Sequence, residues 1–217
     1  MSEKKTILVC AAHPDDELLG CAGTLLRHVE AGDKVIIVIM TEGESSRYEG
    51  TTNNRIKKAQ SKLRQAAIDA HRELGAKESV FFNNPDNQMD SVPLLEIVKQ
   101  LEPIIKTHQP DVIYTHHSGD VNIDHFVTCK AVITAARPLP DQSVTEIYAF
   151  ETLSSTEWQP PSLGSTFEPN RFVDISEYLK KKIEILRFYD TEMREFPHPR
   201  SYAAVEHLAR WRGSSAG

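Results

Sequence analysis

Strand-like and helix-like segments alternate from the first residues of this chain, and that alternation constrains its fold more than any other feature. Residues 7–12 are apolar throughout, as in a buried strand. Apolar side chains then recur at helical spacing over 18–29, and Gly32 marks the end of that helix. Residues 35–40 are again apolar at every position, which is typical of a parallel strand covered on both faces. The succession predicts a βαβ unit.

The same alternation continues as far as residue 150. It predicts further helices over 56–74, 94–105 and 126–136 and further strands over 79–82, 112–115 and 147–150. Because βαβ crossovers are right-handed, repeated units of this kind form a mostly parallel sheet with helices on both faces. We therefore expect an α/β fold, a three-layer Rossmann-like domain, with residues 1–217 forming a single domain.

The rhythm changes in the last third of the chain. Residues 154–170 are rich in Ser, Pro and Gly and predict an irregular loop. Residues 171–175 are predicted to form a last strand, and Ser176 is predicted to cap the helix that follows it. A final helix is predicted over 201–211, and the small residues at 213–217 predict a flexible ending.

Composition limits the classes of partner. The chain of 217 residues has a formal net charge of −6, which gives no electrostatic basis for binding nucleic acid or an anionic membrane. The apolar run near the N-terminus is too short for a signal peptide or an integral membrane segment. Cys10, Cys21 and Cys129 have no paired metal-binding spacing and are expected to be buried thiols. We expect a cytoplasmic protein; a homo-oligomer is compatible with the sequence, which does not fix the number of subunits.

Two polar clusters follow predicted strands. His13, Asp15 and Asp16 come directly after the first strand, and residues 116–125 follow the fourth. Ligands of open α/β sheets bind beyond the carboxyl ends of the strands, so both clusters should lie at one rim. Imidazole nitrogen and carboxylate oxygen together suit zinc and similar divalent metals, and a spare carboxylate can take a proton from water. The simpler alternative is that Asp15, Asp16 or Asp124 only caps a helix.

The run Ala12-His13-Pro14-Asp15-Asp16-Glu17, joined to Asp124-His125 after the fourth strand, resembles the LmbE/PIG-L family of metal-dependent N-deacetylases. The likeness covers nearly the whole chain. It implies that His13, Asp16 and His125 bind zinc, or another divalent metal, and that Asp15 is the general base. We interpret Asp124 as a carboxylate that orients a metal ligand. The implied substrate is an N-acetylated amino sugar or sugar conjugate, whose identity stays open.

The chain departs from the family pattern at Asn122. Many members carry a histidine there, three residues before the last ligand, and that histidine can stabilise an oxyanion or act as an acid. Asn122 can donate only a neutral hydrogen bond. His116, His117 and His198 are candidates to replace the missing histidine, and we favour His198 because two flanking prolines hold it rigidly. A simple helix-breaking turn would explain the same residues.

Arg47, after the second strand, faces the same rim and is a candidate to bind a hydroxyl, carboxylate or phosphate of the substrate. A solvated surface charge is the alternative for this arginine. Asp86 and Asn87, after the third strand, would complete a polar mouth. Two other functions remain open. One is a Rossmann-like nucleotide-binding enzyme, although the Gly-x-Gly-x-x-Gly turn is missing after the first strand; the other is a catalytically silent family member that binds a metal or a sugar.

Overall fold

A computed structural model describes residues 3–47 and 54–217. Within these residues five parallel strands form one sheet in the order β3-β2-β1-β4-β5. The strands are β1 Thr6–Ala11, β2 Lys34–Thr41, β3 Glu78–Asn84, β4 Val112–His116 and β5 Glu146–Phe150. The predicted α/β fold with a mostly parallel sheet is confirmed.

Six α-helices accompany the sheet in the described part of the chain. They are α1 Asp16–Glu30, α2 Asn54–Leu74, α3 Leu94–His108, α4 Ile123–Ala135, α5 Leu179–Leu186 and α6 Tyr202–Ala216. Short 3₁₀ turns at Ser45–Arg47, Met89–Ser91, Thr156–Trp158 and Arg187–Tyr189 lie between them. Each predicted helix is present, and α4 begins three residues earlier than its apolar periodicity indicated.

The sheet separates two hydrophobic cores. Alternate side chains of β1 point to opposite faces, as the two-residue period of a strand requires. Ile7 and Val9 pack into the core under α1, α2 and α5, whereas Leu8 and Cys10 pack into the core under α3 and α4. Because both faces of β1 and β2 are covered, these strands are almost continuously apolar in sequence.

The chain order reverses at the centre of the sheet. From β1 the chain moves outward to β2 and β3, and it then returns to place β4 on the other side of β1. The crossovers therefore leave in opposite directions from β1 and β4, which opens a crevice at their carboxyl ends. Helices α1 and α4 begin at this crevice, so the two polar clusters lie beside one another.

Two predictions for the C-terminal third are wrong. Residues 171–175 form no strand and pair with no described strand; Ile175 packs against Gly23 of α1. Ser176 does not cap α5, which begins at Leu179; its hydroxyl and amide instead donate to Asp174 Oδ1 in a local turn. The final helix is present and extends past its predicted end at residue 211, since α6 continues to Ala216.

The three cysteines are free and buried, as the sequence predicted. Among the described residues, no helix has both the length and the apolar character that crossing a bilayer demands.

Lys182 is a buried lysine at the contact of α5 with α1. Its Nζ donates to the Leu19 carbonyl at 2.8 Å, and burial lowers the pKa of Lys182 from 10.5 to about 8. A lysine whose folded pKa lies below its unfolded pKa costs stability below pH 8, and this cost disappears as the pH rises toward 10.5. The positive charge on Lys182 therefore has an unfavourable effect on stability at neutral pH that is lost at high pH.

Lys182→Met changes the free energy of unfolding, and we expect this change to be more favourable at pH 7 than at pH 10 by roughly 2 to 3 kcal/mol. Urea unfolding of both proteins across this pH range measures the difference. Lys180→Met, on the same helix and with its side chain in water, is the matched control and should show no such dependence. An equal pH dependence in both variants would contradict the assignment.

Candidate metal and catalytic site

A polar cleft of about 180 Å³ opens at the carboxyl ends of β1 and β4. Seven residues that the sequence analysis names for the site or its mouth line it: His13, Asp15, Asp16, Asp86, Asn87, Asn122 and His125. A much larger groove of about 1980 Å³ follows the open edge of β5, away from these residues. Despite its size, that groove holds neither candidate ligand cluster of the described chain.

The carboxylate of Asp16 lies between two imidazoles. Its Oδ2 is 3.1 Å from His13 Nδ1 and 3.1 Å from His125 Nε2. Its Oδ1 is buried and has no hydrogen-bond partner within the described protein. One ligand atom from each of the three residues lies within 4.8 Å of the others. A divalent metal such as zinc fits this set of two imidazole nitrogens and one carboxylate with an unpartnered oxygen.

Each of the two imidazoles has a carboxylate on its other nitrogen. His13 Nε2 donates to Asp124 Oδ2 at 3.0 Å, and His125 Nδ1 donates to Asp120 Oδ1 at 3.1 Å. A carboxylate only accepts hydrogen bonds, so these contacts fix the proton on the outer nitrogen. With a metal ion bound, the inner nitrogens would be free to present their lone pairs to it, as those of metal-ligating histidines do.

The oxygens of Asp124 and Asp120 are themselves held. Asp124 accepts backbone N–H bonds from Asn87 at 2.7 Å and Met89 at 3.0 Å. Asp120 accepts hydrogen bonds from the hydroxyls of Ser155 and Thr156, the latter at 2.6 Å. The sequence analysis indicated Asp124 but not Asp120. Ser155 and Thr156, which hold the Asp120 carboxylate, lie some 35 residues further along the chain.

Without a metal the cluster attracts protons. Burial disfavours charge on His13, but Asp124 and Asp16 outweigh it and raise the pKa of His13 to about 10. The pKa of His125 is also raised, because Asp16 and Asp120 outweigh the effect of burial. The carboxylates of the cleft thus favour a positive charge between them. A divalent cation would replace these protons, and its affinity should rise with pH.

A second group of potential ligands, His13, Asp86 and Asp124, shares one residue with the first. Its oxygens are already engaged. Asp86 Oδ2 accepts from the Ser46 amide at 2.9 Å, and both oxygens of Asp124 accept backbone amides. Only the first group contains a buried oxygen without a partner among the described residues. The first group, His13, Asp16 and His125, therefore fits a metal ion better than the second.

His116 supports this group without lining the cleft. Its ring stacks on that of His125, with centroids 3.9 Å apart, and its Nε2 accepts the Ala12 amide at 2.9 Å. An accepting Nε2 makes the ring neutral, and burial holds the pKa of His116 well below its usual range. His116 therefore orients His125 and is unsuited to donate a proton to a substrate.

Asp15 occupies the N-cap position of α1 but makes no capping hydrogen bond with its side chain. Its backbone φ of 109° is rare outside glycine and costs on the order of 1–3 kcal/mol. Its carboxylate is buried and accepts a hydrogen bond from Arg200 Nη1 at 2.9 Å. Burial raises the pKa of Asp15 to about 8, although Arg200 opposes the rise. The group can thus exchange a proton near neutral pH.

Asn122 is the N-cap of α4. Its Oδ1 accepts the Asp124 amide at 2.8 Å, so this cap is the asparagine rather than Asp124. Its Nδ2 donates to Asn87 Oδ1 at 3.0 Å at the edge of the cleft. One hydrogen of the Asn122 amide is therefore committed to the loop after β3.

His198 and His117 are not among the described residues that line the cleft. His198 packs against Trp158, and its Nδ1 accepts the Arg200 amide. His117 contacts the Ser165 carbonyl at 2.8 Å. The rigid Pro197–Arg200 segment does reach the site, but it delivers Arg200 instead of His198. The fixed φ of proline predicts that the segment is rigid, but it does not predict which side chain faces the cleft.

Arg47 ends the short turn after β2, and the prediction for its side chain lies outside the part of the chain that the structure describes. Asp86 and Asn87 lie in the wall of the cleft, as the sequence analysis expected of a polar mouth.

Comparison with known proteins places the chain among deacetylase-like sequences. Residues 8–136 match the family described as PIG-L: GlcNAc-PI de-N-acetylase. The uncharacterized deacetylase YaiS of Escherichia coli (strain K12) is 30% identical over 86% of this chain and 91% of its own. The probable N-acetyl-alpha-D-glucosaminyl L-malate deacetylase 2 of Bacillus anthracis is 24% identical over 88% of this chain and 83% of its own.

A solved structure shares the fold. N,N'-diacetylchitobiose deacetylase from Pyrococcus horikoshii, complexed with its inhibitor MPG, superposes with a TM-score of 0.77 and 23% identity. The match covers 99% of this chain and 80% of that one.

Asp120 gives a test of the outer carboxylates. We expect Asp120→Asn to weaken zinc binding by about 10- to 100-fold, because His125 loses the acceptor that orients its ring. Competition titration with a chromophoric chelator measures the affinity. Asp33→Asn is the matched control, since Asp33 also pairs with a histidine, His28, at 2.7 Å but outside the cleft. Equal affinities in Asp120→Asn and Asp33→Asn would refute the role given to Asp120.

Proposed function

The chain belongs to the PIG-L (LmbE) family, and from that membership we propose that it is a zinc-dependent hydrolase that removes the acetyl group from an N-acetylated amino sugar or sugar conjugate. The observation that carries the proposal is the juxtaposition in one cleft of a three-residue ligand set with a separate buried carboxylate, Asp15. The relatives named for deacetylation of sugar conjugates support the substrate class.

His13, Asp16 and His125 would hold the metal, and three protein ligands are the number that catalytic zinc sites use. When bound, the ion supplies Lewis acidity and lowers the pKa of water to about 7. Asp124 and Asp120 keep the two imidazoles in the tautomer that presents a lone pair to the ion.

Asp15 is proposed to take a proton from the water that attacks the amide carbonyl. The C–N bond then breaks, acetate departs, and Asp15 passes the proton to the leaving amine. Its hydrogen bond to Arg200 fixes the direction of the carboxylate, which a proton carrier needs. With asparagine at 122, no histidine contributes from that position, and the second Asn122 amide hydrogen is proposed to face the substrate.

The size of the cleft indicates how a substrate would enter. At about 180 Å³ it is smaller than the ligand sites of about 300–1,000 Å³ that enclose a whole small molecule. We propose that the acetamido end of the sugar occupies the cleft and that the remainder of the conjugate lies outside. This arrangement suits a family whose members act on differently substituted amino sugars.

Acetate release and metal content distinguish this proposal from the two alternative functions. A nucleotide-binding enzyme would need a close approach of phosphate to the β1–α1 turn, where His13 and Pro14 stand in place of glycines. A silent family member would bind metal without hydrolysis. Release of acetate from a panel of N-acetylated sugars, with and without chelator, tests the proposed hydrolysis. The metal content of the purified protein then separates a silent metal-binding member from a nucleotide-binding enzyme.

We expect zinc-loaded protein to release acetate from at least one N-acetyl sugar, and Asp15→Asn to lower kcat by about 10²- to 10⁴-fold with its zinc retained. Coupled detection of acetate, together with metal analysis of the same samples, provides both quantities. Asp90→Asn, a surface carboxylate in the Met89–Ser91 turn, serves as the control. Undiminished kcat in Asp15→Asn would show that another group moves the proton.

A further inference from the structure

Glu17 is the acidic residue of the 12–17 run to which the proposed chemistry gives no task. Its carboxylate lies in the first turn of α1 and is fully buried. Oε2 accepts the backbone N–H of Asp15 at 3.1 Å. Oε1 accepts from His71 Nε2 at 3.1 Å and from the Tyr189 hydroxyl at 2.8 Å. Three donors thus converge on one carboxylate that water does not reach.

The donors come from distant parts of the chain. His71 lies in the last turn of α2, and its Nδ1 contacts Ser79 Oγ in β3 at 2.8 Å. Tyr189 ends the turn after α5. Both side chains are almost completely buried. Glu17 therefore connects the start of α1 to elements that are rigidly packed against it, and an acidic residue placed only to interact with the helix dipole would need none of these contacts.

The contact with Asp15 is the one that reaches the cleft. Asp15 has a φ of 109°, a conformation that persists in a non-glycine residue only where its surroundings enforce it. Its carbonyl is held by the amides of Leu18 and Leu19, and its N–H is held by Glu17. This turn lets adjacent carboxylates diverge, Asp16 toward the two imidazoles and Asp15 toward Arg200.

We infer that Glu17, His71 and Tyr189 are positioning residues for Asp15: they anchor its backbone N–H so that its carboxylate faces the reacting atoms. The inference rests on the proposed role of Asp15 as the base. None of the three residues is among the described residues that line the cleft. Loss of the anchor should therefore change the rate of the chemical step and leave metal binding and substrate affinity intact.

Two variants weaken the anchor to different degrees. A misplacement of about 1 Å can cost about 10²-fold in rate, so we expect Glu17→Gln to lower kcat by about 10- to 100-fold. Tyr189→Phe removes one hydrogen bond and keeps the ring, and we expect kcat to fall by about 3- to 10-fold. KM and zinc content should match those of the parent protein in both variants. Tyr189→Phe keeps the experiment decisive if Glu17→Gln does not fold.

Tyr114→Phe is the matched control. Tyr114 is also a buried tyrosine, and its hydroxyl contacts His28 Nε2 at 3.0 Å on a part of the sheet away from the cleft. It should lose a comparable amount of stability and keep its kcat. If Tyr114→Phe and Tyr189→Phe lower kcat equally, the effect is general loosening of the fold and the inference is wrong.

A double-mutant cycle identifies the route of the effect. In the Asp15→Asn background, adding Tyr189→Phe should leave the residual rate unchanged, because the group that it positions has already lost its function. The same fold-reduction in both backgrounds would overturn the inference while leaving the base assignment intact. Full activity of Asp15→Asn alone would instead reject the proposed base, so the two failures are distinguishable.

Discussion

The contact of Asp16 with two imidazole nitrogens is the interaction on which the site depends. His13 and His125 approach one carboxylate oxygen at 3.1 Å each, and both have their outer nitrogens committed to other carboxylates. Lone pairs facing a carboxylate repel unless a cation lies between them. Protons can fill this role, as the raised pKa values of both histidines indicate. A divalent metal would fill it with greater charge and would also satisfy the orphaned Asp16 oxygen.

The fold brings these groups together through its strand order. β1 and β4 are neighbours, yet their crossovers leave in opposite directions, so the starts of α1 and α4 meet at one crevice. Each helix start supplies candidate ligands: His13 and Asp16 at α1, and His125 at α4. The loops after β3 and β5 hold the carboxylates that pair with these histidines, through the backbone amides of 87 and 89 and the hydroxyls of Ser155 and Thr156.

Periodicity predicted the sheet, its helices and the rim where the site lies, because parallel strands buried on both faces leave a strong apolar pattern. The motif around His13 and Asp16 also indicated the candidate ligands. Arg200 and Asp120 were missed, since side-chain direction in an irregular segment follows no period. The strand expected at 171–175 failed for a related reason: an extended run becomes a strand only where a partner edge is within hydrogen-bonding distance.

The central claim is that His13, Asp16 and His125, rather than His13, Asp86 and Asp124, hold one metal ion. His125 belongs only to the first group and Asp86 only to the second, so zinc content and affinity of His125→Ala and Asp86→Asn decide between them. The account predicts about one equivalent of zinc in the parent protein and in Asp86→Asn, and a loss of most of it in His125→Ala. Unchanged zinc in His125→Ala, with loss in Asp86→Asn, would contradict it.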